Sequence, residues 1–436
     1  MSSQHPSSPV ASKSKPTGGE STARSKARGG PPALSASLLL IAPLPRPARD
    51  GHDYRVLLLK RAEKSSTYQN AYVFPGGNVD PVDRDTSAWT PFFPSLASFT
   101  AGLPSSPSKS STTSAQTTLD DGVMQTVKLC AIRETFEESG VLLFEPTSAH
   151  TAAKLGEVED KWRKVDDRRK TQLREEVHAN GKKFVELFHH ELGTEVRPAV
   201  SRLTHWANWV TPVMLPRRFD THFFISILPS SSSPASTPDE VPFYKLASSD
   251  GIEISIAEWL TPTQAIRRAL AHTADLSANS DSIAATTATY TEQPKAMGNN
   301  PTKSIILHPP QFYLLAELAN NNKSYRTLLD ETGQVVRPRT VRSFTPQLGQ
   351  VLDASGRSRP ATILPGDEEY NGGKEGDEQG KAGALHRTYV IPPNERTQGL
   401  TVLETGVHRR NLDHGPGWED MSAGEIGNAD PAPAKL

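Results

Sequence analysis

An acidic cluster on a short predicted helix constrains this chain more than any other feature. The segment at residues 133–141 reads Arg-Glu-Thr-Phe-Glu-Glu-Ser-Gly-Val. Glu134, Glu137 and Glu138 are spaced i, i+3 and i+4, so their side chains share one face of a helix. Three like charges at this spacing repel one another unless a cation lies among them, and hard divalent ions take carboxylate oxygens as ligands. The cluster therefore predicts a metal site, and a metal beside a phosphate-bearing substrate indicates phosphoryl chemistry.

The surroundings of the cluster weigh against the alternative, a solvated acidic face. A Phe-Pro-Gly-Gly turn at residues 74–77 precedes the helix, and Asp80 and Asp83 follow the turn directly. Gly140 is a suitable residue to end a helix predicted at residues 126–139. We therefore predict that the turn and the helix form one site.

The turn and the helix together resemble the Nudix box. In that box a glycine, five residues and a glutamate are followed by seven residues and Arg-Glu-U-x-Glu-Glu-x-Gly-U, where U is a bulky aliphatic residue. Gly77 matches the first glycine, residues 133–141 match the second half with Thr135 at the first U, and Asp83 replaces the first glutamate. Residues 84–132 stand where the family has seven residues. They are rich in Ser, Thr and Pro, which predicts a flexible insert whose closure costs little extra entropy.

A box split at this position resembles one branch of the Nudix hydrolases, the peroxisomal acyl-coenzyme A diphosphatases. Four later segments are similar to that branch and follow its order, at residues 206–212, 217–221, 309–313 and 364–370. The resemblance implies an α/β fold: a Nudix-type α/β/α sandwich with a mixed β-sheet, a long insertion inside the box and added helices. Periodicity alone predicts only that helices and strands are mixed.

The resemblance also implies how the site would work. A metal ion, Mg²⁺ or Mn²⁺, would be held by three carboxylates and a backbone carbonyl, those of Glu134, Glu137, Glu138 and Gly76. Glu134 would serve as a ligand or as the general base, and Arg133 would orient it through an ion pair. Asp83 is one methylene shorter than the expected glutamate, so its role in metal binding or in tying the helix stays open.

Substrate contacts are predicted on weaker grounds. Two basic pairs at strand ends would meet a diphosphate or a 3′-phosphate, with solvated strand ends as the alternative. Phe219 would stack an adenine unless it belongs to the core, and Gly77 lets the backbone turn closely. Glu253 and Glu258 are further candidate bases or surface ion pairs. The predicted substrate-binding residues are Lys60, Arg61, Gly77, Arg217, Arg218 and Phe219.

Composition divides the chain, because its low-complexity segments cannot form a core. We predict a disordered basic Ser/Pro tail at 1–33, a Nudix hydrolase domain at 34–330, a C-terminal extension packed on the domain at 331–410 and a flexible tail at 411–436. Within the domain we predict a flexible insert at 84–125 and a helical addition at 150–195. The apolar periodicity of the addition favours extra core over a substrate lid.

Charge, cysteine content and the C-terminus bear on partners and compartment. A net charge of −1 argues against binding polyanions by bulk electrostatics, so nucleic acid is not expected. The single cysteine, Cys130, excludes an internal disulfide and fits a reducing compartment. No apolar run approaches the ~20 residues of a membrane span. Residues Ala434, Lys435 and Leu436 are a variant of the Ser-Lys-Leu signal, which predicts binding to the peroxisomal import receptor. The alternative locations are the cytoplasm and the mitochondrion, to which the basic N-terminus would point.

The resemblance implies a Nudix diphosphatase, a hydrolase acting on phosphorus-containing acid anhydrides. It would cleave coenzyme A or acyl-CoA to 3′,5′-ADP and (acyl-)4′-phosphopantetheine. One alternative is hydrolysis of another nucleoside diphosphate, such as ADP-ribose, NADH or capped RNA. The other is a catalytically inactive Nudix module used for binding. The intact Arg133 and its three glutamates argue against the inactive module, because a dead copy has no physical reason to keep mutually repelling carboxylates.

Overall fold

The structure is a computed structural model of the chain. It describes residues 30–62, 70–94, 121–215, 217–229, 247–248, 253–270, 305–336, 341–352, 356, 358–371, 380, 382–391, 401–402 and 408–410. The predicted tail at 411–436 with its peroxisomal signal, nearly all of the predicted N-terminal tail and most of the predicted insert lie outside the described residues.

Strands and helices are interspersed along the described chain. The strands are β1 (Ala33–Pro43), β2 (Tyr54–Arg61), β3 (Tyr72–Val73), β4 (Gly76–Asn78), β5 (Phe144–Pro146), β6 (Val196–Pro198), β7 (Thr204–Val210), β8 (Phe219–Ile227), β9 (Ile254–Leu260), β10 (Ser343–Phe344), β11 (Gln347–Leu352), β12 (Ser358–Ile363), β13 (His386–Ile391), β14 (Thr401–Val402) and β15 (His408–Arg410). The α-helices are α1 (Thr86–Trp89), α2 (Asp121–Ser139), α3 (Leu155–Lys164), α4 (Asp167–Ala179), α5 (Lys182–Leu187), α6 (residues 262–270) and α7 (Pro309–Asn321).

A mixed sheet forms the centre of the fold. Within the described residues its strand order is β10-β7-β8-β1-β2-β3, with β4 also paired to β1 and β9 to β2. Strand β1 runs parallel to β8 and antiparallel to β2 and β4. Leu38 and Leu40 of β1 pack into one core, whereas Leu39 and Ile41 pack into another. Because β1 is buried on both faces, its residues 38–42 form a continuous apolar run without polar alternation.

Helices cover both faces of this sheet. One core lies between the sheet and α2 with the helices that follow it, and we call this side the α2 face. The other core lies between the sheet and α6 and α7, and we call it the α7 face. The result is an α/β/α sandwich around a mixed sheet, as the resemblance to the Nudix hydrolases implies. None of the described helices is long and apolar enough to cross a membrane.

The start of the predicted flexible insert is folded, which differs from the expectation for residues 84–125. Residues 81–84 form a 3-10 turn capped by Asp80, and α1 follows it. Trp89 and Phe92 are fully buried and pack against rings of the helical addition, including Phe184 at 6.0 Å from Trp89. The Ser/Thr/Pro-rich composition begins only after these aromatic residues. Residues 84–94 are therefore folded, and Trp89, Phe92 and Phe93 are buried in the core.

The helical addition contributes to the core of the α2 face. It comprises α3, α4, α5 and a π-helical turn at Phe188–Leu192. Leu173 and Val177 of α4 and Phe184 of α5 are buried in the core of the α2 face. Phe184 also lies 6.1 Å from Phe136 of α2, measured between ring centroids. The addition is thus packed directly against the acidic helix.

The C-terminal extension forms a second small sheet beside α7. Strands β11, β12, β13 and β14 pair in this order, and β15 also pairs with β13. The hydroxyl of Tyr313 on α7 lies 3.0 Å from Nε2 of His386 on β13. Leu364 is fully buried in the core of the α7 face. The extension therefore packs on the side of the sheet opposite to α2.

Candidate active site

Two glycines bring the turn before α2 into close contact with its neighbours. Gly76 and Gly77 of β4 lie opposite Ser37 and Ala36 of β1. A Cβ atom on Gly76 would lie 2.3 Å from the carbonyl oxygen of Ala36, and one on Gly77 would lie 2.5 Å from the carboxyl carbon of Glu134. Any larger residue would push the turn away from β1 or from α2. The glycines therefore set the distance between the turn and the first glutamate of the cluster.

Arg133 is the central cation of the site. Its Nε and Nη2 donate to the two carboxylate oxygens of Asp83 at 3.0 and 2.9 Å. Its Nη1 lies 2.7 Å from Oε1 of Glu137 and 3.0 Å from Oε1 of Glu134. Its Nη2 also donates to the carbonyl oxygen of Asn78 at 3.0 Å. The predicted contact between Arg133 and Glu134 is present, within a larger network than the sequence indicated.

The geometry explains Asp83, whose role the sequence leaves open. Its side chain is fully buried and grips Arg133 through both carboxylate oxygens. One of those oxygens also accepts the backbone N–H of Asp80 at 2.9 Å, which completes the capping box of the 3-10 turn. Asp83 therefore ties the first half of the motif to the second half across the long insert. A bidentate pair of this kind adds geometric specificity as well as energy.

Glu138 lies between the glycine turn and a strand end. Its Oε2 accepts the backbone N–H of Gly76 at 2.9 Å, and its Oε1 lies 3.9 Å from Nη1 of Arg61. Arg61 also pairs with the half-exposed Glu253 through Nη2 at 3.2 Å. Of the predicted substrate-binding side chains, Arg61 is the one for which the structure shows a contact with a carboxylate of the cluster. Glu253, a candidate base, lies at the rim beside it.

The helical addition supplies two contacts to Glu137 that sequence reasoning missed. Nδ1 of His178 lies 3.5 Å from Oε2 of Glu137. Arg174 donates through Nε and Nη2 to the backbone carbonyl of Glu137, at 3.2 and 3.1 Å. Both residues lie on α4, four positions apart and therefore on one face. In a segment this rich in charge, that spacing is too common to have identified them.

The carboxylates of the site outnumber the positive charges that surround them, and their pKa values are raised. Burial raises the pKa of Glu134 to about 8, with Glu137 and Asp83 adding to the shift and Arg133 opposing it. Burial, and then the charge of Glu134, raises the pKa of Glu138 well above its usual range. Burial also raises the pKa of Glu137 against the pull of Arg133. Charged carboxylates in this site are therefore costly unless further positive charge enters.

Comparison with known proteins gives the family. Residues 33–272, more than half of the chain, match the family model of the NUDT19 Nudix domain. The chain belongs to this family. The two halves of its Nudix box lie inside the matched range, and the family and fold class predicted from the sequence are confirmed.

Three curated relatives carry the printed name acyl-coenzyme A diphosphatase NUDT19. The Xenopus laevis protein is 36% identical over 244 residues, which cover 52% of this chain and 58% of that protein. The Gallus gallus protein is 27% identical over 367 residues, covering 77% of this chain and 79% of that protein. The Homo sapiens protein is 30% identical over 337 residues, covering 73% and 72%. The match thus spans less than two thirds of the Xenopus protein and more than two thirds of the other two.

The Nudix site has the donor chemistry of a divalent-cation site without a preformed cage. Among the described residues, no group of three His, Cys, Asp or Glu side chains converges on one point. Each glutamate of the box is instead turned toward a guanidinium or a backbone N–H. Buried carboxylate oxygens with excess negative charge are nevertheless the ligands that Mg²⁺ and Mn²⁺ take. The residues therefore fit such an ion, provided that the glutamates turn toward it.

Gly77, a predicted substrate-binding residue, packs against Glu134. The structure does not show contacts with the Nudix glutamates for the other four, Lys60, Arg217, Arg218 and Phe219. Strand alternation points Lys60 to the α7 face, because Leu58 lies there and Leu57 and Leu59 lie on the α2 face. Its neighbour Arg61 follows a bulge and reaches the box. Lys60 therefore faces away from the box, and its role in binding substrate stays a prediction.

The later basic pair lies at the start of β8. Arg218 donates through Nε to the carbonyl of Thr211 at 3.0 Å, and Arg217 is exposed. Phe219 pairs with Ala33 in register and shares the α7 face with Phe223. Sequence reasoning did not weigh the face of the sheet on which each of these side chains would lie. Their role in binding substrate likewise stays a prediction.

Proposed function

We propose that this protein is a metal-dependent Nudix diphosphatase. It hydrolyses the diphosphate bond of coenzyme A and acyl-CoA to 3′,5′-ADP and (acyl-)4′-phosphopantetheine. The observation that carries the proposal is a mostly buried cluster of four carboxylates, those of Asp83, Glu134, Glu137 and Glu138. Among the described residues, Arg133, Arg61 and His178 lie within ion-pair distance of these carboxylates. The names of the curated relatives support the substrate class.

Residues of the box would hold one or more ions, Mg²⁺ or Mn²⁺. The ligands would be the carboxylates of Glu134, Glu137 and Glu138 and the carbonyl oxygen of Gly76. A bound divalent ion supplies charge neutralisation on the phosphates and lowers the pKa of a coordinated water. Buried carboxylates suit this task, because the positive charge of the ion balances their excess negative charge.

Glu134 would serve as a ligand or as the group that accepts a proton from the attacking water. Its pKa of about 8 lies near neutral pH, where a general base works best. Arg133 holds Glu134 at 3.0 Å, while its Nε and Nη2 are anchored on Asp83. The orientation of Glu134 is therefore set by a guanidinium that is itself fixed by both halves of the box.

Arg61 is the residue best placed to meet the diphosphate. It lies beside Glu138, and its side chain is 13% exposed, so its guanidinium is near the surface of the site. When Glu138 turns to an ion, Arg61 loses one of its anionic neighbours. A guanidinium in that position would donate to phosphate oxygens with good geometry.

The substrate is tested with purified protein, Mn²⁺ and a panel of CoA, acetyl-CoA, ADP-ribose, NADH and capped RNA. We expect 3′,5′-ADP from CoA and acetyl-CoA, detected by chromatography. Consumption of ADP-ribose, NADH or capped RNA with CoA left intact would show that the substrate is another nucleoside diphosphate. Substrate binding without turnover of any compound would show an inactive Nudix module.

We also propose that the protein acts in peroxisomes, through recognition of residues 434–436 by the import receptor. Deleting these three residues from a protein tagged at its N-terminus should disperse it into the cytosol. Punctate fluorescence that still overlaps a peroxisomal marker after the deletion would contradict this localisation.

A further inference from the structure

The helical addition contacts both halves of the split Nudix box. We propose that this addition assembles the box, and that Arg174 is a positioning residue for its metal-binding carboxylates. The inference rests on the proposed function, since it assigns a role in metal binding to residues outside the box.

The first contact is made by the start of α5. Gly181 packs so closely on the first half of the box that an added Cβ atom would lie 2.8 Å from Oδ1 of Asp80 and 3.0 Å from Cγ1 of Val82. The indole N–H of Trp89 donates to the carbonyl of Val82 at 2.9 Å, and its ring packs on Phe184 of α5. The first half of the box is therefore held against the addition by a close fit and by a buried aromatic cluster.

The second contact is made by Arg174 of α4, whose residue is only 6% exposed. Its Nε and Nη2 donate to the backbone carbonyl of Glu137, and its Nη1 donates to Oγ of Ser248 at 2.8 Å. The backbone N–H of Ser248 in turn donates to the carbonyl of Ser139 at 3.0 Å. The last carbonyls of a helix have no partner within the helix. Arg174 and Ser248 supply partners at the end of α2, and the positive charge of Arg174 suits a helix C-terminus.

His178 extends the same contact to a side chain. It lies one helical turn after Arg174 and reaches Oε2 of Glu137, whose Oε1 is held by Arg133. The backbone of Glu137 is thus fixed from α4, and its carboxylate is fixed from both sides. The last turn of α2, which carries the second and third glutamates of the box, is held by residues of the addition.

The length of the insert explains why these contacts from the helical addition are needed. In an unbroken box, a short connection limits how far the two halves can move apart. Here residues 84–132 separate them, and although a long loop costs little closure entropy, it does not define relative position. Metal ligands must be held to within about 0.5 Å to bind well. The addition supplies that constraint from outside, alongside the direct bond between Arg133 and Asp83.

Arg174→Gln tests the second contact, with Arg169→Gln as its matched control. Arg169 lies on the same helix and pairs with Glu191 and Glu176, away from the box. The dissociation constant for Mn²⁺ is measured by electron paramagnetic resonance of the free ion, together with Tm, kcat and KM. We expect Arg174→Gln to raise this constant about tenfold or more and to lower kcat with KM for CoA unchanged. Arg174→Lys should recover part of the loss, and Arg169→Gln should match the wild type.

Gly181→Ala tests the first contact, with Gly156→Ala on α3 as its control. A Cβ atom on Gly156 would meet no atom within 4 Å. We expect Gly181→Ala to weaken Mn²⁺ binding severalfold, because the first half of the box must shift, and Gly156→Ala to leave it unchanged.

Wild-type Mn²⁺ affinity in both Arg174→Gln and Gly181→Ala would overturn the proposal. So would a lower Tm with unchanged Mn²⁺ affinity of the folded protein, since Arg174 would then be structural only. If Arg174→Gln does not fold, Ser248→Ala probes the same contact, and unchanged affinity there counts against the proposal. Mn²⁺ binding needs no turnover. A wild-type protein that binds Mn²⁺ but cleaves no compound of the panel would therefore refute the proposed function and leave this test valid.

Discussion

Two buried ionic clusters of this protein differ in their balance of charge. In the C-terminal extension, the fully buried Asp367 accepts Nε of Arg387 at 2.7 Å and the backbone N–H groups of His386 and Glu369 at 2.7 and 2.9 Å. One carboxylate thus meets one guanidinium and two amides. Arg387 lies on β13 of the sheet that packs on α7, and Asp367 lies in the turn after β12, away from the Nudix box.

The Nudix box contains the opposite arrangement. Three carboxylates, those of Asp83, Glu134 and Glu137, contact Arg133. The fourth, Glu138, lies 3.9 Å from Arg61. Burial raises the pKa of all four. A balanced pair such as Asp367–Arg387 stabilises the architecture, whereas a buried excess of one charge is maintained for a function. The difference indicates that the box needs a bound cation to balance its negative charge. The charges of the Asp367–Arg387 pair balance each other without one.

The largest effect is expected from Glu138→Gln, which removes a charge from the unbalanced cluster. We expect kcat to fall at least about 10³-fold, because the charge that holds the ion and the transition state is lost. The far-ultraviolet circular dichroism should be unchanged. Glu186→Gln, an exposed change on α5, is the control and should retain wild-type kcat. Full activity in Glu138→Gln would show that the excess negative charge of the box is not needed for function.

Asp367→Asn should have the opposite effect: the free energy of unfolding should fall strongly, and Mn²⁺ affinity should not change. The change leaves Arg387 buried without its anion, which costs about 3–5 kcal/mol of the free energy of unfolding. Chemical denaturation measures this loss, and Glu368→Gln at the exposed edge of the pair should cost less than about 1 kcal/mol. A weaker Mn²⁺ affinity in folded Asp367→Asn would mean that the two clusters are coupled.

Mn²⁺ should stabilise the wild type by binding only the folded state. At a concentration about 100-fold above its dissociation constant, the ion should add about 2.7 kcal/mol to the free energy of unfolding. In Glu138→Gln the same concentration should add much less, since the affinity is lower. An equal gain in both proteins, measured by denaturation with and without the ion, would place the binding site outside the box.

The metal-free protein should lose stability as pH rises, with Glu134 as a main cause. Its folded pKa of about 8 lies above the ordinary value of 4.5, so between these values the folded state holds a proton that the unfolded state has lost. The unfolding free energy should therefore fall by on the order of 2 kcal/mol from pH 5.5 to pH 8. Glu134→Gln should flatten this slope. A slope that is the same in both proteins would show that Glu134 is not the responsible group.

Local features of the site could be predicted from the sequence. The spacing of Glu134, Glu137 and Glu138, the two glycines of the turn and the end of α2 all depend on neighbouring residues. Such features follow from helix and strand periodicity, which a single segment contains in full.

Features that depend on distant segments could not be predicted from the sequence alone. The role of Asp83 became clear only from its bond to Arg133, since the insert separates the two along the chain. Residues 84–94 were expected in the flexible insert, yet Trp89 is buried because Phe184 packs against it. Lys60 and Phe219 were grouped with the site by charge and ring type, without regard to the face of the sheet on which each side chain lies.

One segment of the sequence is thus enough to predict the chemistry of this protein, but it does not predict how the site is assembled. Residues 133–141 carry three repelling carboxylates and an arginine on one short stretch of helix, which is enough to predict a cation site. The packing of α4 and α5 decides which residues hold that stretch in place, Arg174 and His178 among them. Helical spacing is a local property, whereas the contacts that complete a site are made between segments far apart in the chain, and only their packing brings them together.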